Sequence, residues 1–400
     1  MPPMFSGDGL TEALRTLPTY DANIRNADVA TRLLALEDIY QIYIPSDLSR
    51  EIYAKLYISI IRGLRNKQTA DAVKQQNLNY LPKHGEYKGI ISGADSFTIL
   101  GASGIGKSSA IARAITLATD NKLIKTDSTS IIPCIQIQCP FDCSVKSMLF
   151  NILDTIDRML DTNYYEKAVR ARATTDILIS SVSNILLNRV CVLIIDEIQN
   201  VLNHKSGSGL VGVLVQLINN SGITVCMVGI PESESFFQKT DYLARRAMGL
   251  KFQRMEYTKE FIDFCKIIYG YQYTKDAEPF TESYSLWLYE HTGGVVALVV
   301  ALIHDAQEIA ILEGRDTLSI AALDAAYKKR YSMVKGCKQV KLAIAGTKKQ
   351  NSSAIPTAEI NMESNAESNT YSMVIKTAKA KQIDMVKALK LTFGALEVAL

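Results

Sequence analysis

Residues 101–108 read Gly101-Ala102-Ser103-Gly104-Ile105-Gly106-Lys107-Ser108, the spacing G-x-x-x-x-G-K-S. The β-prone residues 96–100 precede them, and the apolar, Ala-rich residues 109–118 continue at helical spacing, so the glycines fall between a strand and a helix. That context makes the stretch a phosphate-binding loop. Glycines let backbone N–H groups turn inward around phosphate oxygens where a Cβ would obstruct them, and the following helix N-terminus adds partial positive charge. The loop and the adjoining Ser109 therefore form the expected cofactor-binding stretch. Within it Lys107 reaches the β and γ phosphates, and the Ser108 hydroxyl is placed to ligate Mg2+.

Working outward, short apolar runs alternate with helical patterns from residue 87 onward, the signature of a parallel sheet covered on both faces. Strands are expected at 96–100, 131–138, 190–195 and 223–228, with helices at 109–118, 147–160, 168–187 and 210–219. A P-loop NTPase fold follows. The third strand ends in Asp196-Glu197 after a continuous apolar run, as a buried parallel strand delivers polar groups at its carboxyl end. Asp196 is expected to hold the Mg2+ shell and Glu197 to orient and polarise the attacking water.

After the fourth strand comes Gly229-Ile230-Pro231-Glu232, where many related ATPases carry a polar residue that senses the γ-phosphate. Here that position is Ile230. Either Glu232 or Ser233 substitutes, or the contact is missing. A helix over 234–243 leads to Arg245 and Arg246, whose planar forks suit the γ-phosphate of a neighbouring subunit; one of the two is also suited to a structural ion pair.

Before the sheet, residues 1–85 are helix-rich, with helical periodicity in 29–40 and 48–64, and Ser46 or Asp47 is a suitable N-cap for the second run. Arg50, Lys55, Arg62, Arg65 and Lys67 along it read as a solvated face. Beyond the sheet, helices at 261–273, 282–314 (broken at Gly293-Gly294) and 316–331 make a small lid. In related lids an arginine follows such a glycine and touches the nucleotide; Val296 and Ala297 stand there. Residues 346–369 read as a linker, and the Lys-studded run 373–391 as either a partner-binding helix or a weakly packed tail.

The chain of 400 residues has a net charge of +3, too small to announce a nucleic-acid binder. Its seven cysteines are an odd number with several in apolar runs, so reduced thiols are expected. Cys134, Cys139 and Cys143 lack the spacing and the fourth ligand of a zinc site. The longest apolar run, 295–303, is too short to span a bilayer, so no membrane partner and a cytoplasmic location are expected.

With these residues in place the chain resembles the TnsC/TniB family of AAA+ ATPases over residues 5–335. The resemblance rests on FSGDGLTEALRTLP (5–18), the phosphate loop, VLIIDEIQN (192–200), TVCMVGIP (224–231), LARRAMG (243–249) and YGYQYTK (269–275). It implies an α/β AAA+ fold divided into a helical N-terminal region (1–85), a nucleotide-binding core (86–255), a helical lid (256–335) and a flexible tail (336–400). It implies ATP with Mg2+ as cofactors, and assembly into a ring or helical filament on double-stranded DNA. Implied partners are a TniQ/TnsD-like target selector and a TnsB/TniA-like transposase. DNA backbone contacts are expected from residues 139–146 and the following helix: Lys146 first, then Thr162 and Lys167, with an ordinary surface lysine as the competing reading for Lys146. Two other functions compete: a helicase-loader or IstB-like AAA+ protein, and a signalling NTPase that binds no DNA.

Overall fold

A computed structural model describes residues 1–68, 96–126, 129–203, 207–237 and 249–331. Arg245 and Arg246, the second half of the helix expected at 234–243, and the linker and tail beyond 331 lie outside the described residues. Three helices open the chain: α1 (Gly7–Leu14), α2 (Val29–Leu36) and α3 (Asp47–Gln68). The first strand, β1 (Phe97–Gly101), runs into the phosphate loop and α4 (Lys107–Thr119). There follow β2 (Ile124–Lys125), β3 (Ser130–Gln138), α5 (Val145–Leu160), α6 (Tyr164–Arg170), α7 (Thr175–Arg189), β4 (Val190–Asp196), α8 (Gly207–Ser221), β5 (Thr224–Gly229) and β6 (Leu250–Phe252). The lid is α9 (Lys259–Tyr269), α10 (Glu282–Thr292), α11 (Val296–Leu312) and α12 (Ile320–Ala326).

The strand order is β2-β3-β4-β5-β1-β6, parallel except for the antiparallel edge strand β2. β5 therefore lies between the loop-bearing β1 and the acid-bearing β4, pairing Phe97 with Cys226 on one side and Val192 with Thr224 on the other. Such an order opens a crevice at the carboxyl ends of the strands, where α/β sheets bind ligands. It is a mostly parallel α/β sheet flanked by helices, with the glycine-rich loop at the end of β1 and the acidic pair at the end of β4.

Each strand feeds two cores because successive side chains point to opposite faces. On β4, Leu193 and Ile195 face Ile152 and Ile156 of α5, Val182 of α7 and Leu214 of α8. Val192 and Ile194 face Ile52 and Leu56 of α3 and Ala110 and Ala114 of α4. On this second face α3 lies close: a Cβ on Gly63 would meet Cys191 Cβ at 2.8 Å. Lys67, near the end of α3, does not belong to a solvated face. Its ammonium donates to the Leu186 carbonyl (3.3 Å) and the Leu187 carbonyl in the last turn of α7, and burial pulls it down to about 8. Lysine there satisfies carbonyls that a helix end leaves unpaired.

One helix expected over 168–187 is two. The chain breaks where Arg172 takes a left-handed φ of 47°, and the Thr174 hydroxyl accepts from Ile177 N–H to start α7.

A third core belongs to the lid, formed by Phe261, Ile268, Leu288, Leu302 and Leu323, and it takes in Leu36 and Ile39 from the N-terminal segment. The described N-terminal residues are thus shared: α1, α3 and Tyr43 pack on the sheet side, while Tyr20, Ile24, Leu33, Leu36, Ile39 and Ile44 pack on the lid. Arg32, fully buried, clips α2 to the lid by donating to Asp316 Oδ1 (2.5 Å) and to the Tyr273 carbonyl (3.2 Å). Burial pushes the Asp316 carboxyl up, but the hydrogen bonds and charges of Arg32 and Lys275 outweigh it and hold it below its ordinary value. Asp316→Ala would strand a buried guanidinium; we expect a loss of about 3 kcal/mol, read by urea denaturation, because breaking one half of a buried pair leaves its charge uncompensated.

Among the described residues no single helix is long and apolar enough to cross a membrane; the bent pair α10 and α11, at 117°, lies in the lid core. The described cysteines are all buried and free. Burial raises Cys191 to about 11 and Cys139 to about 12, and raises Cys134, Cys226 and Cys265 too. A thiol whose folded value is raised keeps its proton after the unfolded chain has lost it, so its contribution is present below about pH 9 and lost above. Lys67 acts in the opposite sense but is a single group against several thiols. The denaturation midpoint is therefore expected to fall between about pH 9 and pH 11 under reducing conditions; a flat or rising midpoint would contradict this burial.

Candidate nucleotide site

The loop leaves β1 at Gly101 and enters α4 at Lys107, with Gly104 at φ 78° and Gly106 at φ 94°. Only glycine adopts these angles without strain. Open space faces Gly106, where a Cβ would meet nothing within 4 Å, whereas at Gly104 it would strike Val295 Cγ1 at 2.8 Å. The lid thus touches the loop at one glycine and leaves the other clear. The contact is also polar: Ala297 N–H donates to the Gly104 carbonyl at 3.0 Å. Val296 and Ala297, at the place of a lid arginine, belong to this docking of α11 on the loop.

Lys107 Nζ lies inside the loop, donating to the carbonyls of Gly101 (2.7 Å) and Ala102 (2.9 Å). Burial lowers its pKa, opposed by the charges of Asp196 and Glu197, which places the three groups in one field. Ser108 Oγ donates to Asp196 Oδ2 at 3.3 Å across the crevice. The Asp196 carboxylate is fixed on its other sides by Gln136 Nε2 (3.2 Å to Oδ2) and by Glu197 N–H (2.9 Å to Oδ1). This set fits a triphosphate and a hard divalent cation: one ammonium within a glycine loop for phosphate, one hydroxyl and one carboxylate for Mg2+.

Glu197 itself takes φ 58°, a costly conformation for a residue with a Cβ. It is held on both sides, since Ile198 N–H donates to the Val228 carbonyl (2.9 Å) and Asn200 N–H to the Glu197 carbonyl (3.0 Å). Gln199 Nε2 donates to Glu197 Oε2. Asn200 Nδ2 reaches the Cys139 carbonyl at 2.9 Å, and Cys143 Sγ donates to the Asn200 carbonyl at 3.2 Å. The turn carrying Glu197 is thereby bonded directly to the loop 139–146.

After β5, a short 3-10 turn (Pro231–Ser233) points Glu232 to solvent and buries Ser233, while Ile230 is half-buried. Of the open alternatives at this position, Ser233 is the one turned inward.

Lys146, on the first turn of α5, is exposed, with Nζ 5.7 Å from the Phe150 ring centroid. Lys167 on α6 is exposed as well. Thr162 has an internal partner: its hydroxyl donates to Asp157 Oδ1 at 2.5 Å, and the same carboxylate accepts the N–H groups of Tyr164 and Tyr165. Sequence reasoning passed over Gln136, Gln199 and Asn200. For Gln136 a signal existed, an amide in an otherwise apolar strand; for the other two, position beside Asp196-Glu197 was the only hint.

A cavity of about 580 Å³ lies beside the loop, lined by Ser109 and Arg113 of α4 and by Thr16 and Tyr43 of the N-terminal segment. Thr16 and Tyr43 form an isolated antiparallel bridge, and the Arg113 guanidinium sits 4.3 Å over the Tyr43 ring while donating to the Thr16 hydroxyl.

Residues 76–257 match the family described as Bacterial TniB protein. The matched segment is similar to that family and is a little less than half of the chain. Similar solved structures include the ORC2 protein of Aeropyrum pernix in its ADPNP-ADP complexes, at 16% identity over 65% of this chain and 67% of that one, with a TM-score of 0.41. Drosophila ORC bound to DNA is another, at 15% identity over 82% of this chain and 70% of that one, with a TM-score of 0.45. The chain matches no curated protein sequence.

Proposed function

We propose that this TniB-type chain is an ATP-driven switch of transposition: it binds ATP with Mg2+, assembles with copies of itself as a ring or filament on double-stranded DNA, and links a TniQ/TnsD-like target selector to a TnsB/TniA-like transposase. The observation that carries the reading is the approach of Ser108 to Asp196, 3.3 Å apart, with Lys107 and Glu197 beside them, inside a TniB-family segment. In this scheme the domains keep the division 1–85, 86–255, 256–335 and 336–400, and the site is cytoplasmic.

The loop N–H groups from Gly101 to Ser109 cradle the phosphates. Lys107 exchanges the carbonyls of Gly101 and Ala102 for the β and γ phosphates, a stronger charge-assisted pair. Bound Mg2+ would supply charge neutralisation at the γ-phosphate, held by Ser108 and Asp196. Glu197 orients the attacking water, and Arg245 or Arg246 of a neighbouring copy spreads the transition-state charge. The cavity against Ser109 and Arg113 receives the nucleoside, with the Tyr43 ring as an apolar wall.

On the DNA side the bond from Asn200 to Cys139 ties the water-orienting turn to the segment that begins the backbone contacts. Lys146 is the first of these, followed by Lys167 and Thr162. Lys146→Ala is expected to weaken duplex binding equally for unrelated sequences and to reduce the salt slope by about 1; an unchanged slope would return Lys146 to the ordinary surface.

Electron microscopy of the protein with a non-hydrolysable ATP analogue and duplex DNA tests the whole reading. Filaments or rings that need both ligands support it. Nucleotide binding indifferent to duplex at low salt would favour a signalling NTPase, and loading of a replicative helicase without transposase contact would favour the IstB-like alternative.

A further inference from the structure

Two buried oxygens near Glu197 have no hydrogen-bond partner: Gln199 Oε1 and Ser233 Oγ. They come from different segments, the turn after β4 and the turn after β5, yet they face one point. A Cβ on Gly229 would lie 2.9 Å from Ser233 Oγ and 3.0 Å from Gln199 Oε1. Glycine at 229 is what permits this approach. Ser233 is 1% exposed, so its hydroxyl has no water to turn to.

The opposite end of the same amide is engaged, since Gln199 Nε2 donates to Glu197 Oε2. An amide cannot turn one end without the other. A hydroxyl that donates to Oε1 fixes Nε2 on the carboxylate, whereas a flipped amide would set oxygen against oxygen.

We propose that Gln199 and Ser233 are a pair of positioning residues for Glu197, doing from the far side of Gly229 what a polar side chain at Ile230 would do directly. Movement of the 3-10 turn Pro231–Ser233 closes the Ser233 hydroxyl onto Gln199 Oε1, and the amide then holds the Glu197 carboxylate in register with the attacking water. The proposal rests on the assignment of Glu197 given above.

The test is steady-state ATP hydrolysis by the full chain with duplex DNA, beside fluorescent-nucleotide binding. Gln199→Ala is expected to lower kcat about tenfold or more with nucleotide affinity within about twofold, as for loss of a contact made in the transition state. Ser233→Ala should lower kcat several-fold, Ser233→Thr should restore most of it, and Ser233→Ala should add nothing on top of Gln199→Ala, because the two act as one unit. Multiplicative effects or a faster variant would overturn the pairing. Glu197→Gln in the same assay separates the failures. If it turns over ATP normally, the assignment of Glu197 falls and this proposal with it. If it is slow while Gln199→Ala and Ser233→Ala match the parent, only the present proposal falls.

Discussion

Glu197→Gln is expected to lower ATP turnover by about 10²- to 10⁴-fold, the span that a positioned general base contributes, while ATP affinity stays within about threefold. The amide has nearly the volume of the carboxylate, so the turn keeps its shape, including the bond from Ile198 N–H to the Val228 carbonyl. On the proposed assignment, what disappears is the negative charge that orients and polarises water. Glu197 is exposed, and neither Ser108 nor Lys107 bonds to it, which is why binding should survive its loss. Assemblies formed with ATP should then persist, and a pelleting or light-scattering assay would show them decaying far more slowly than those of the parent. Turnover within about threefold of the parent would mean that another group places the water.

Lys107→Ala acts one step earlier. Its ammonium is the loop's own side-chain cation, and each charge-assisted hydrogen bond to phosphate contributes about 1.5–3 kcal/mol, so losing two of them should weaken ATP binding at least about 100-fold. Fluorescent-nucleotide titration measures this directly. Lys107 leaves behind only two carbonyls at the end of β1, so the variant's circular dichroism and denaturation midpoint should stay close to the parent's. Near-parental ATP affinity would remove the loop from the site. The two variants also part in behaviour: one binds and stalls, the other never binds.

The loop and the acidic pair of the candidate site were legible in the chain because their signals are local. The phosphate loop lies within eight residues, and β4 announces itself as an unbroken apolar run ending in two carboxylates. β6 escaped notice because it is three residues long and half-exposed, with no periodicity to read. The break between α6 and α7 hung on one residue, Arg172, entering the left-handed region ahead of a Thr cap. Lys67 looked like one more surface charge because its partners, the carbonyls of residues 186 and 187, lie far along the chain. The attachment of α2 to the lid depends on Arg32 meeting Asp316, 284 residues away, and no pattern near either residue encodes that. Gln199 and Ser233 belong to the same class, being neighbours only once β4 and β5 are paired.

The sharing of the N-terminal segment between two cores has a mechanical meaning. Residues 20–44 are bolted to the lid through Arg32 and Leu36, and the bridge Thr16–Tyr43 is gripped by Arg113 on the helix that begins at Lys107. The chain is therefore a short strap with one end on the lid and the other on α4, six residues along that helix from Lys107. A load applied to the lid would reach α4 through this strap without crossing the sheet.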